Sequence, residues 1–174
     1  MPREAELIEP LCRWFRDQFS SDRLLLIHEE ASGRGGRRPD LLVVFGEKHS
    51  TSIDDATMIP IEIENSTKGA IHDRKNGLLQ LNKYPGHIKF LAIPKTIASR
   101  YTSREIERRC MDWGVGLLVV DPDTADVRCM ITPRTLNEDR TLRVYPTTMR
   151  RWIALWRSAH SFRRISRGTI LEQS

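Results

Sequence analysis

At 174 residues with 39% hydrophobic content, the chain has the length of one ordinary domain and the apolar material for one sizeable core. No apolar run reaches the ~18 to 20 residues needed to cross a bilayer, and the charged start MPREAELIEP is unlike a secretory signal, so a cytoplasmic protein without a membrane partner is expected. The formal net charge of +5 is unevenly distributed: Arg140 to Gly168 holds eight arginines and no acid, the pattern of a surface that meets a polyanion.

Residues 3–19 form the first predicted helix, with Leu7, Leu11, Phe15 and Phe19 recurring every four positions and Ile8 beside them. Glu4 stands at its N-terminal end, where the helix dipole favours a carboxylate. LLLIHEE at 24–30 reads as a strand, and GRGGRRP at 33–39 as a loop whose arginines can approach a phosphate. DLLVVFG at 40–46 and MIPIEIEN at 58–65 are two further strands, most simply an antiparallel hairpin.

Residues 70–84 are predicted to be one helix stopped by Pro85 and Gly86, with Asn76, Gln80, Lys83 and Tyr84 along a polar stripe; Gly77 inside it costs roughly 1 kcal/mol against alanine. A strand at 87–94, a helix from Ser103 to Trp113, a buried strand at 116–121 and the strand-like VRCMIT follow. Thr147 to Phe162 is the last predicted helix, capped by Thr147 and carrying an apolar stripe of Met149, Trp152, Ile153 and Trp156; the basic segment after Ser161 is expected to be mobile. This order predicts an α/β domain with a mixed sheet and helices on both sides. Cys12, Cys110 and Cys129 are too few and too scattered for a disulfide framework or a zinc site, and read as small apolar residues.

The hairpin carries the chemistry. Ile59, Ile61 and Ile63 alternate with Pro60, Glu62 and Glu64, so both glutamates share a strand face, and Asp40 stands at the start of the neighbouring strand. The same alternation describes a half-exposed strand with solvated acids. Three carboxylates on two apolar strands otherwise call for a cation among them, and magnesium, which takes one or two carboxylates with waters and phosphate oxygens, suits Asp40, Glu62 and Glu64.

Pro39-Asp40, then Glu62-x-Glu64, then Gln80-x-x-x-Tyr84 one helix later, resembles the PD-(D/E)xK nuclease superfamily over about residues 1–130, and the glutamine–tyrosine element resembles its RecB-type branch. The resemblance implies a restriction-endonuclease-like fold with a core at residues 1–135 and a basic extension at 136–174. It further implies a magnesium-dependent deoxyribonuclease, with manganese as a substitute metal, acting in restriction, repair or recombination. Asp40, Glu62 and Glu64 would be the metal ligands, supported by Gln80 and Tyr84. The family's lysine is replaced here by Glu64, so Lys83 or Lys68 would supply the ammonium. Arg34, Arg37, Arg38, Arg150, Arg151, Arg157, Arg163 and Arg164, with Lys68, would neutralise DNA phosphates. Cutting both strands of a duplex implies a homodimer, with the tryptophan-bearing last helix as its interface. The alternative is a DNA-binding protein on a degenerate fold of this kind that no longer cleaves.

Overall fold

The structure is a computed structural model that describes residues 3–19, 23–31, 38–72, 77–99, 103–135 and 142–168, with the side chains of 53, 72 and 160–168 left out. Strands β1 (Arg23–Glu29), β2 (Leu41–Glu47), β3 (Thr57–Ile63), β4 (Phe90–Pro94), β5 (Gly116–Asp121) and β6 (Asp126–Ile131) form one six-stranded sheet in sequence order. The first three strands are antiparallel, β3, β4 and β5 run parallel, and β6 returns antiparallel. Parallel neighbours need crossovers, which helices α2 (Thr67–His72) and α3 (Gly77–Leu81) supply before β4, and α4 (Lys95–Ala98) and α5 (Ser103–Trp113) before β5. Helices α1 (Ala5–Gln18) and α6 (Pro146–Gly168) complete an α/β domain with helices on both faces of a mixed sheet.

One face is covered by α1, whose Leu7, Leu11, Cys12 and Phe15 pack on Leu41, Val43, Ile59, Ile61, Ile63 and Leu118. The other face is shared. Helices α2, α3 and α5 bury Ile71, Leu78 and Ile106 against Leu91, Ile93 and Leu117. Leu142 and Tyr145, just before α6, and Trp152 within it cover Leu24, Leu42, Val44 and Met58. Covered on both sides, β3 is buried at every position after Thr57, so the half-exposed strand does not occur.

Several expectations change. The helix expected over 70–84 is two short helices, with Gly77 at φ +62° starting the second. A Cβ there would lie 2.6 Å from the Gly69 carbonyl oxygen, so glycine allows a close approach of the two helices rather than weakening one. Lys83 and Tyr84 therefore lie in the turn after α3, and Asn76 is outside the described residues. Thr147 sits inside α6, which begins at Pro146, and the backbone remains helical to Gly168 beyond the expected end at Phe162.

In the apolar stripe of α6, Trp152 is buried, Met149 and Trp156 pack beside it, and the Trp156 Nε1–H donates to the Ser50 carbonyl at 3.3 Å. Cys12 and Cys110 are buried as expected, whereas Cys129 is exposed on the edge strand β6. Among the described residues no helix is long and apolar enough to cross a membrane.

A candidate carboxylate site at the ends of β2 and β3

Antiparallel pairing sets Leu41 opposite Ile61, so one further step brings Asp40, just before β2, level with Glu62 near the end of β3. The Asp40 Oδ2 accepts from the Ile63 backbone N–H at 2.7 Å, and its own backbone carbonyl accepts from the Glu30 N–H at 2.8 Å. The first bond holds the carboxylate and the second the backbone at the strand ends, with one carboxylate oxygen left for another partner.

Glu62 is 4% exposed, and its Oε1 has no hydrogen-bond partner although it is sealed from solvent. An ionised carboxylate in that state is costly. Burial, then the neighbouring Asp40, and more weakly Glu64 and Glu4, push the Glu62 pKa up to about 9, against a hydrogen bond with Tyr84 that lowers it. Burial also pushes Asp40 up to about 6, with Glu4 and Glu30 adding to the effect and the Ile63 bond opposing it. Two acids whose charges repel across a hairpin end retain a proton near neutrality, unless a cation replaces it.

Tyr84 anchors the arrangement from behind. Its hydroxyl donates to the Arg38 carbonyl at 3.0 Å, accepts from the Gln80 Nε2–H and is hydrogen-bonded with the Glu62 carboxyl. Burial first, and the Glu62 charge second, hold the phenol well above its ordinary range, so Tyr84 remains a phenol throughout the range in which the acids titrate. The Gln-x-x-x-Tyr spacing works here because α3 ends at Leu81 and the following turn swings Tyr84 inward, its N–H bonded to the Leu81 carbonyl at 3.1 Å.

Glu64 is also 4% exposed, but it follows β3 and its carboxylate turns to α2: a Cβ built on Gly69 would stand 2.2 Å from the Glu64 Oε2. Among the described residues no group of three or more His, Cys, Asp or Glu is placed to hold a metal. Asp40 and Glu62 together, with one oxygen free and one orphaned, still fit a magnesium ion, which needs only one or two protein carboxylates and completes its shell with waters and phosphate.

The cations are more dispersed. Lys68, in the first turn of α2, and Lys83, after α3, are both exposed. Arg38 is exposed and paired with Glu30. Arg150, Arg151 and Arg157 are exposed along α6 on the part of the molecule covering β1 and β2, while Arg34 and Arg37 lie outside the described residues, as do the side chains of Arg163 and Arg164. Glu4, which extends the α1 stripe at its N-terminal end, is near enough to Asp40 and Glu62 to raise both.

No protein-family model and no curated protein matches the chain. Among solved structures it is similar to an FdxN element excision controlling factor protein from Anabaena variabilis, at 12% identity over 72% of this chain and 98% of that one, with a TM-score of 0.42.

Proposed function

We propose that the chain is a magnesium-dependent deoxyribonuclease of the PD-(D/E)xK type. The observation that carries this reading is the buried, unpartnered Glu62 Oε1 beside an Asp40 carboxylate held level with it across the hairpin. A structural acid would be neutralised by a neighbour; these two instead repel each other, which is the state a divalent cation relieves.

Asp40 and Glu62 are the proposed ligands, and Gln80 and Tyr84 orient the Glu62 carboxyl. A magnesium ion bound there would lower the pKa of its water and neutralise charge developing on a phosphate. Lys68 and Lys83, both exposed on the crossover between β3 and β4, are the ammonium groups proposed to stabilise the phosphate in place of a lysine at 64. Arg38, Arg150, Arg151 and Arg157 would take backbone phosphates, making DNA binding steeply dependent on salt.

A panel of labelled duplex, flap, junction and single-stranded DNAs, incubated with magnesium or manganese, tests the reading. Wild type should cut at least one substrate, and Glu62→Ala should cut none. Equal cleavage by both proteins would remove Glu62 from the chemistry.

A second reading, a DNA-binding protein without cleavage, is favoured by Glu64, which stands at the family's lysine position and faces α2. Retention of DNA by wild type with no cutting under either metal would select it.

A further inference from the structure

We infer that Glu64 is the positioning residue of this site: its carboxylate fastens α2 to the end of β3 and, through the glycine contact between α2 and α3, sets Gln80 and Tyr84 against Glu62. The role assigned to Glu62 rests on the nuclease reading; the fastening itself does not.

The contacts form a closed path. The Glu64 backbone N–H donates to the Ala92 carbonyl at 2.9 Å, which ties the residue to β4. Its Oε2 lies 2.2 Å, and its Cδ 3.1 Å, from where a Gly69 Cβ would be, so the carboxylate is laid directly on the first turn of α2. The approach is a close packing contact: the Gly69 and Ala70 N–H groups are taken by Ser66, and the carboxylate fills the space that the missing Gly69 Cβ leaves. The Ser66 Oγ completes the turn by accepting from the Gly69 N–H at 3.0 Å.

Helix α3 is then seated on α2 at the same glycine. A Cβ at Gly77 would stand 2.6 Å from the Gly69 carbonyl oxygen and 2.7 Å from that of Ala70, so the two backbones touch where no side chain fits. From α3, Gln80 reaches the Tyr84 hydroxyl, which is bonded to Glu62 two residues before the path began.

This explains the residue at 64 without making it a ligand. A lysine there would set a positive charge on the positive end of α2. The site exchanges a cation at the strand for a helix lock, and Lys68 rides on the helix that is locked.

Manganese affinity by calorimetry, amide exchange over Thr67–His72 and Gly77–Leu81, and the titration of the Glu62 carboxyl by NMR test this in wild type, Glu64→Gln, Glu64→Ala and Gly69→Ala. Glu64→Gln keeps an acceptor oxygen, so its manganese affinity should stay within about threefold of wild type, with amide protection and the Glu62 titration unchanged. Glu64→Ala and Gly69→Ala should speed exchange in both helices by about tenfold or more and displace the Glu62 titration, and the glutamine variant should restore both. Gly69→Ala reaches the contact from the helix side, so the inference remains falsifiable if Glu64→Ala does not fold. Manganese binding weakened about tenfold in Glu64→Gln, with α2 exchange unaltered, would make Glu64 a ligand and overturn the inference. If wild type binds no manganese and cuts nothing, the nuclease reading fails, and the exchange data alone decide whether Glu64 locks α2.

Discussion

Asp40 accepts from the backbone N–H of Ile63 through one carboxylate oxygen, at 2.7 Å, and thereby ties the start of β2 to the end of β3. The residue has a structural and a proposed chemical part, and they separate by substitution. Asp40→Asn keeps an acceptor for Ile63 and should melt within a degree or two of wild type, while losing magnesium-dependent cleavage by about a hundredfold or more. Asp40→Ala should lose both, with stability falling by about 1 kcal/mol in thermal melts.

The raised pKa values of Asp40 and Glu62 give stability a definite slope with pH. Asp40 goes from 3.8 to about 6 and Glu62 from 4.5 to about 9, so the folded chain holds protons that the unfolded chain releases. Their contribution is complete below about pH 4 and is lost as pH rises through 6 and then 9. Glu62→Gln should flatten this loss and, at pH 8, melt above wild type by the equivalent of about 2 kcal/mol. Metal affinity should run the other way, rising between pH 6 and 9 as the bound protons become easier to displace. Melting curves and manganese titrations across pH 5–9 check both signs.

Tyr84→Phe removes one hydroxyl that serves the Arg38 carbonyl, Gln80 and Glu62 together. Stability should fall by about 1–3 kcal/mol, since buried groups lose their partner. Cleavage should fall about tenfold or more, as for loss of a group that orients a ligand. Chemical denaturation and single-turnover cleavage measure the two effects.

Helix α6 is held by a different kind of bond. The His28 Nδ1 lies 2.6 Å from the Thr148 Oγ1, and burial, followed by the nearby Arg151 charge, lowers the histidine's pKa below its ordinary 6.5. The folded state prefers the neutral ring, so this contribution is present above pH 6.5 and fades as pH falls below it. Amide protection over the first turns of α6, corrected for the intrinsic exchange rate at each pH, should therefore fall between pH 6.5 and 5. Thr148→Val should lower it at pH 7.5 and cost about 1 kcal/mol.

Much of this architecture is written locally. The antiparallel hairpin follows from two apolar runs joined by a polar segment, and the shared side of Asp40 and Glu62 follows from a period of two. Helix α1 follows from apolar residues four apart. The helix over 70–84 was misread because a glycine within a helical pattern has one local meaning, a weak link, whereas Gly77 is needed where a second helix presses on it. The place of Glu64 is hidden for the same reason: alternation assigns a strand face, but β3 ends at Ile63 and the side chain lies against α2. Likewise His28 and Thr148 are 120 positions apart, and nothing near either residue marks the pair.

By itself, then, the sequence determined the elements that repeat at short period, the α/β class, and which carboxylates share a hairpin end, because these depend on neighbours within a few residues. Only the tertiary structure decided that β3 is buried on both faces, that Glu62 is sealed with an unpartnered oxygen, and that Glu64 faces a helix. Burial and charge repulsion depend on which distant segments cover a group, so the same three acids read as solvated, ligating or locking until the packing around each is known.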